Sequence, residues 1–399
     1  MPRSPRPLRD GSLAAALGVT RIARLTALDR TGVEVASAIR PGAHVLQVTN
    51  GKGATFADAS VGALLEAAEL WAAERPVPDA WDSAEGLAGR GAGAVLAPAA
   101  LAPEWAPPDA SSLRLAWRAG RDLLRGGRAW VPAHAVHCPP PGAPLLGAAI
   151  VPWNSNGMGA HPDLAAATLH ALLELVERDQ LARALPDGFT DAAIAARLVG
   201  RRALSRAAPR ATAMIEAIEE EGIRAYVLDV GGGTATSTST HEAAHPERSA
   251  AARATARSRG TLDLRLPCFA AVLVDEGGPV PVAAGYACRL TADAAVLAAL
   301  LEAAQSRATE IHGAREDVAL EDRTRATLLA PRLAGARPNE RPLPRRDAAT
   351  RSALAGVRAV LSRLGRAGVE RVVAVDVHGP PGVHVVKVLA PGLLVSELL

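Results

Sequence analysis

Ala171-Leu-Leu-Glu-Leu-Val-Glu-Arg178 is the stretch on which the reading of this sequence turns. It carries Glu174 and Glu177, three residues apart. The same spacing recurs as Glu66 and Glu69 in Ala63-Leu-Leu-Glu-Ala-Ala-Glu-Leu-Trp71, and as Glu302 and Gln305 in Ala299-Leu-Leu-Glu-Ala-Ala-Gln-Ser-Arg307. Residues i and i+3 share one face of a helix, so each pair offers two oxygen-bearing side chains to one spot. Taken singly such a pair is ordinary, because Glu is a good helix former and usually faces water. Here the flanking residues are apolar nearly all round, the mark of a buried helix. A carboxylate in such a place is costly unless it is paired or binds a metal. Three such helices meeting make an acidic cavity that needs cations. Mg2+ meets that need, since it takes a few carboxylates together with phosphate oxygens. Arg178 and Arg307 are placed to contact phosphates.

Working outward, Thr55 to Asp58 reads as a capped start for a helix running to about Glu74. Pro162 reads as the first residue of the helix that carries Glu174 and ends near Leu185. The third motif sits in a helix over 292–312, and further helices are expected at 209–222 and 352–367. Strands are expected at Val33–Ala38, His44–Val48, 144–151, Arg224–Val230, Cys268–Val274, Val280–Ala284, Arg371–Asp376 and His384–Leu389. This mixture predicts an α/β or α+β chain, with mixed β-sheets flanked by helices. Residues 1–18 read as a flexible leader, about 231–260 as a low-complexity insert, and about 331–350 as a Pro- and Arg-rich surface loop. Length allows one large domain or two coupled ones.

Gly51-Lys52-Gly53 precedes the first motif helix. It lacks the Gly-x-x-x-x-Gly-Lys-Ser/Thr of a P-loop, and reads as a turn offering backbone N–H groups to an anion. Lys52 stands out because only two of the 44 basic residues are lysine, the other being Lys387. Arg40, beside Pro41, reads as a phosphate or peptide contact or as a surface residue. His134, His137 and Cys138 match no zinc spacing and read as loop residues. No Gly-x-Ser-x-Gly elbow marks a serine hydrolase.

The formal charge is only +3, and no basic cluster is interleaved with aromatics, which argues against nucleic-acid binding. No run of eighteen apolar residues spans a membrane. Three widely spaced cysteines, Cys138, Cys268 and Cys288, fit a reducing cytoplasm.

At these residues the chain resembles the YcaO family. Thr20-Arg-Ile-Ala, Leu28-Asp29, Ala38-Ile-Arg40-Pro41 and Thr49-Asn-Gly-Lys-Gly-Ala-Thr55, followed by Glu66-x-x-Glu69, resemble its N-terminal signature. Asn156-Gly157 with Glu174-x-x-Glu177-Arg178 resembles the second signature. Glu302-x-x-Gln305-Ser-Arg307 with Gly313-Ala-Arg-Glu-Asp317 resembles the third, and Val385 to Leu393 the closing strand. The resemblance implies one catalytic domain over 19–395, with the three carboxylate-bearing helices around a central nucleotide site. It implies ATP and Mg2+ as cofactors, with Lys52, Arg178, Gln305 and Arg307 toward the nucleotide and Glu66, Glu69, Glu174, Glu177 and Glu302 toward the metal. It implies phosphorylation of a peptide amide oxygen, then attack by a Cys, Ser or Thr side chain, an amine or sulfide, giving azolines, amidines or thioamides. The opening motifs and the absence of a Pro-x-Pro-x-Pro tail resemble the branch associated with TfuA-like partners and thioamidation. The expected partners are a precursor peptide and a TfuA-like protein, and a homodimer is one expected assembly. The chain departs from the family's pattern at Gly62, where Ser is common, and at Pro162 and Ala166, where Asn and Glu are common. It also carries Gly285-Tyr-Ala-Cys-Arg289 in place of Gly-x-Gly-x-His. The competing expectation is therefore a degenerate member acting as scaffold or regulatory partner.

Overall fold

Each motif stretch is helical, and each of these helices follows a strand that ends a sheet. The computed structural model describes residues 11–143, 145–232, 262–314 and 321–395, without the side chains of 321–327. In chain order its elements are α1 (Ser12–Leu17), β1 (Arg21–Arg24), β2 (Glu34–Ile39), β3 (Val48–Gly53), α2 (Phe56–Ala73), β4 (Ala80–Asp82), α3 (Ala84–Gly89), β5 (Ala94–Val95) and α4 (Pro98–Leu101). Then come β6 (Leu115–Asp122), β7 (Arg128–Pro132), β8 (Met158–His161), α5 (Leu164–Ala184), α6 (Asp191–Arg197), α7 (Arg201–Ala207), α8 (Pro209–Glu220) and β9 (Arg224–Asp229). The last are β10 (Cys268–Val274), β11 (Val282–Cys288), α9 (Ala292–His312), α10 (Glu321–Gly335), α11 (Ala353–Arg366), β12 (Val373–Asp376) and β13 (His384–Leu389).

Three sheets form among the described residues. One runs β1-β2-β3, one β9-β10-β11, and the largest β5-β7-β6-β12-β13-β8, with β4 added on β6. Only β5 and β7 pair in parallel; the other pairings are antiparallel. The fold is the expected mixture of sheets and helices. Strand β10 shows why its sequence is apolar without alternation: both of its faces are covered. Cys268, Ala270, Val272 and Val274 join the core shared with α5 and α11, while Phe269, Ala271 and Leu273 join the core shared with α8 and α9. Helix α2 covers one face of the largest sheet through Ala63, Leu64, Ala67 and Ala68 against Val373, Val375, Val385 and Met158. Helix α5 covers the other face, against Val386 and Val388.

The edge strands β3, β8 and β11 link the motif helices into a cycle. β3 packs on α2 and α9, β8 on α2 and α5, and β11 on α5 and α9. Each edge strand carries a glycine where a helix backbone crosses it. A Cβ on Gly51 would run into the Ala59 carbonyl and the Ala63 amide; on Gly159, into the Ala167 carbonyl; on Gly285, into the Ala299 carbonyl and the Ala303 amide. The helices start at Thr55, Asp163 and Thr291, whose side chains accept from the N–H groups of Asp58, Ala166 and Ala294.

Several local expectations change. Residues 145–151 form no strand: Leu146 and Val151 are buried as separate loop anchors, and Gly147 has φ +96°, which breaks an extended run. The strand that leads into α5 is the short β8 instead, and Asp163, not Pro162, sets the helix start. Gly51-Lys52-Gly53 is not a turn but the end of β3. Within the expected leader, Ser12–Leu17 is helical and buries Leu13 and Leu17 on α2. The tract expected as an insert lies from residue 233 onward outside the described residues. Residues 331–335 finish α10, and 336–350 are irregular.

The glycine contacts give a contrast. Gly159→Ala and Gly285→Ala are each expected to lower stability by about 2–3 kcal/mol, through overpacking against helix backbone. Gly62→Ala, whose Cβ would lie 3.4 Å from Gly51 Cα, is expected to stabilise by up to about 1 kcal/mol through helix propensity. Urea unfolding of the three variants checks both signs; a wild-type midpoint for Gly159→Ala contradicts the close approach.

Candidate active site

A strand at a sheet edge presents backbone N–H groups with no ladder partner. In this chain the motif carboxylates take them. Glu66 Oε2 accepts from the Asn50 N–H of β3 at 3.0 Å, and Glu69 Oε1 from the Ala160 N–H of β8 at 2.9 Å. Glu174 Oε2 accepts from the Gly157 N–H just before β8 at 3.0 Å. Glu177 Oε2 and Glu302 Oε1 accept from the Cys288 and Tyr286 N–H groups of β11 at 3.0 and 3.2 Å. The first glutamate of each helix thus binds beside its own strand, and the second on α2 and α5 crosses to the next. The circuit closes through β3: Lys52 Nζ donates to Glu302 Oε2 at 2.9 Å, and Asn50 Nδ2 donates to Thr309 Oγ1 of α9 at 3.0 Å.

The electrostatics follow from burial and crowding. Burial, then the charges of Glu174 and Glu66, push the Glu69 carboxyl well above the usual range. Burial and the Glu302 carboxylate push Glu177 up to about 8, against Arg178 and Arg289. Burial also raises Glu174, despite Arg178 and Lys387. Glu302 alone of this group is lowered: burial opposes this, but Lys52 outweighs it. Burial brings Lys387 down to about 8, although Glu174 and Glu69 favour its charge. His170, exposed at the edge of the cluster, is held below its ordinary value by desolvation and by the charges of Arg289 and Lys52.

The structure therefore brings Lys52, Glu66, Glu69, Glu174, Glu177, Arg178 and Glu302 into one cluster. Gln305 lies one turn beyond Glu302, and its carboxamide has no hydrogen-bond partner among the described residues. Arg307 is elsewhere. Its guanidinium is 1% exposed and is held by Asp29 at 2.9 Å, Asp275 at 2.6 Å and the Val280 carbonyl. Arg40 is likewise tied up, in a two-pronged pair with Glu74 at 2.6 and 2.8 Å. His137 is buried, its Nδ1 3.3 Å from the Ala73 carbonyl. Sequence reasoning did not assign Lys387, His170 or Arg289 to the site. The scarcity of lysine was the available signal for Lys387. For His170 it was the four-residue step to Glu174 on one helix face.

Two observations test whether this cluster fits a metal–nucleotide complex. Arg178 sits among Glu174, Glu177 and Glu302, and its buried Nε, 3.9 Å from Glu177 Oε1, makes no hydrogen bond, which leaves a donor for a closer anionic oxygen. The carboxylates spend one oxygen on backbone N–H groups, and Glu69 Oε2 accepts no hydrogen bond among the described residues. Solvent still reaches the cluster: the side chains of Lys52, Glu302 and Glu174 are 24%, 25% and 20% exposed. Among the described residues no three His, Cys, Asp or Glu side chains close on a single point. Such a lining fits an ion that would take one or two carboxylates and complete its shell from phosphate and water, the habit of Mg2+. A cavity of about 420 Å³ lined by Val95, Leu96, Glu370 and Arg371 includes none of these residues.

The chain is similar to known proteins in sequence and in fold. Residues 50–394 match the family model described as YcaO cyclodehydratase, ATP- and Mg2+-binding. An uncharacterized protein of Methanothermobacter thermautotrophicus is 30% identical, over all of this chain and 96% of its own. An uncharacterized protein encoded in the tfuA 3' region of Rhizobium leguminosarum bv. trifolii is 28% identical, over 95% of this chain and 84% of its own. In fold the chain is similar to YcaO from Methanopyrus kandleri bound with AMPPCP and Mg2+, with a TM-score of 0.67, 22% identity, and coverage of 97% and 89%. It is also similar to a heterocyclase in complex with substrate and cofactor, with a TM-score of 0.66 and 19% identity, and spans half the length of that enzyme. No helix among the described residues is long and apolar enough to cross a membrane.

The raised Glu177 makes stability pH-dependent. Between the ordinary 4.5 and about 8 the folded chain holds a proton there that the unfolded chain has lost. Metal-free protein is therefore expected to lose stability as pH rises across that window, with a slope approaching about 1.4 kcal/mol per pH unit for one proton. Lys387, lowered from 10.5 to about 8, acts in the opposite sense only above that window. Urea unfolding in chelator should show the decline for the wild type and a flatter profile for Glu177→Gln; parallel profiles would count against the buried pair.

Proposed function

This chain belongs to the YcaO family, and on that premise we propose that it uses ATP and Mg2+ to activate a backbone amide of a ribosomally made peptide for post-translational modification. The observation that carries the reading is the closed cluster of Glu66, Glu69, Glu174, Glu177 and Glu302 around Arg178, whose Nε makes no hydrogen bond. ATP, when bound, supplies the phosphoryl group that turns the amide oxygen into a leaving group, and Mg2+ neutralises phosphate charge. The protein's own part is positioning and charge compensation. Glu66, Glu69, Glu174 and Glu177 hold the metal ions, their orientation fixed by edge-strand N–H groups. Arg178 and Lys52 meet phosphate oxygens, with Gln305 beside them. His170, neutral at the cluster, offers a hydrogen bond without adding charge.

Within this class we rank thioamidation first and azoline formation second. The relative in the tfuA 3' region supports a TfuA-like partner, which would work with a precursor peptide in the cytoplasm. One observation favours a second reading. Ala166 leaves the first turns of α5 without a carboxylate, and the Lys52–Glu302 pair neutralises part of the cluster. A scaffold without ATP turnover would tolerate both.

Calorimetry separates the two readings. Wild-type protein is expected to bind ATP with Mg2+ at micromolar concentrations, and Glu174→Ala and Glu177→Ala each to weaken binding by at least about tenfold, or ~1.4 kcal/mol. No binding by folded wild type would favour the scaffold. Peptide mass after incubation with the partner then distinguishes exchange of oxygen for sulfur from loss of water.

A further inference from the structure

We propose that Lys387 is a positioning residue of the nucleotide site: a fixed, buried ammonium that locks the Asn154–Gly157 turn, and with it Glu174 and Glu69, before any metal ion arrives. The inference rests on the reading that these carboxylates hold Mg2+ for ATP. Lys387 lies on β13 opposite Met158 of β8. It therefore stands between the two N–H groups that orient the carboxylates, Gly157 for Glu174 and Ala160 for Glu69. The residue is 1% exposed. Its Nζ donates to the carbonyl oxygens of Asn154 at 2.6 Å and Asn156 at 2.7 Å. Among the described residues no carboxylate bonds it directly; Glu174 and Glu69 act on it through space. Its charge thus stays in place when a metal occupies the carboxylates.

The rest of the turn is equally tied. Val388 N–H donates to the Gly157 carbonyl at 2.7 Å, Met158 N–H to the Ser155 carbonyl at 3.0 Å, and Asn156 N–H to Asn154 Oδ1 at 3.1 Å. Gly157 itself has φ +77°, and a Cβ there would lie 2.5 Å from the Val388 carbonyl. Removing Lys387 would leave two inward carbonyls without a donor, so the turn that aims the Gly157 N–H at Glu174 would have to open.

The residue type supports the role. A chain that uses arginine for all but two of its 44 basic residues keeps lysine only at Lys52 and Lys387, both in this cluster. Two carbonyls from one turn converging on a single nitrogen suit a compact tetrahedral ammonium. A planar guanidinium spreads its donors in a rigid fork.

The test uses the full chain. Mn2+ binding is read by electron paramagnetic resonance of the free ion, and Mg2+ with a non-hydrolysable ATP analogue by calorimetry, for wild type, Lys387→Met and Lys387→Arg. Both variants are expected to bind Mn2+ at least tenfold more weakly, with no rescue by arginine although it keeps the charge. Wild-type affinity in either variant overturns the proposal, since arginine would then suffice or no lock would be needed. Amide hydrogen exchange adds a second readout: Gly157 and Met158 should lose protection in Lys387→Arg while β10 stays protected. Unchanged protection at those two amides also overturns it. Should wild type bind neither Mn2+ nor nucleotide, the nucleotide-site reading fails. Exchange in the metal-free protein then still decides whether Lys387 locks the turn.

Discussion

Unpaired backbone N–H groups on three sheet edges are the constraint from which the rest of this site follows. β3, β8 and β11 each finish a sheet, and each is buried against two motif helices. A buried N–H without an acceptor is expensive, and side chains from the facing helices are the available acceptors. Carboxylates serve well, because an ionised acceptor makes the stronger bond. The solution creates the next problem: carboxylates gathered from three helices repel one another, and burial raises Glu69, Glu174 and Glu177. Arg178, Lys52 and Lys387 compensate part of that charge. The remainder is negative charge that a bound cation would offset.

Much of this was legible in the sequence. The paired acids identified the three helices, and Thr55 marked the start of the first; Asp163 and Thr291 cap the other two without having been read as caps. The long apolar run of β10 was read as a strand, and the structure covers it on both faces. The edge strands were harder. β8 has four residues and contains Gly159, so neither alternation nor β-propensity marks it. The apolar run at 144–151 looked more like a strand than β8 does, yet residues 145–151 form a loop with separate anchors. Lys52 was placed in a turn because Gly51 and Gly53 flank it. Those glycines instead reflect how closely α2 approaches β3, a tertiary demand that local sequence does not display.

Arg178 and Arg307 show how fine the helical phase is. Both follow a motif glutamate, and both were read as phosphate contacts. Arg178 is four residues beyond Glu174, a rotation of about 40° from it at 3.6 residues per turn. Arg307 is five residues beyond Glu302, a rotation of about 140°. One additional residue therefore turns Arg307 away from the cluster and into the Asp29–Asp275 pair, where it fastens α9 to the segments before β2 and after β10. The distinction was present in the spacing, and counting positions on the helix rather than matching the motif would have found it.

The three motifs are also unequal in charge, and the inequality gives the site a direction. α2 contributes Glu66 and Glu69, with Lys387 acting on Glu69 through space while held by carbonyls rather than by an acid; on α5, Glu174 and Glu177 also have Arg178, at 3.3 and 3.9 Å. α9 contributes Glu302, already paired with Lys52, and Gln305, which is neutral. Arg178, Arg289 and His170 gather around the same end. The α2 flank of the cluster thus has fewer cationic groups near its acids than the α5–α9 flank. A metal ion alone would satisfy only the first side, and a phosphate alone only the second. A ligand that carries bound cations on one flank and phosphate oxygens on the other satisfies both. That polarity is a property of where Gln305 and Lys52 stand, and no single helix could have produced it.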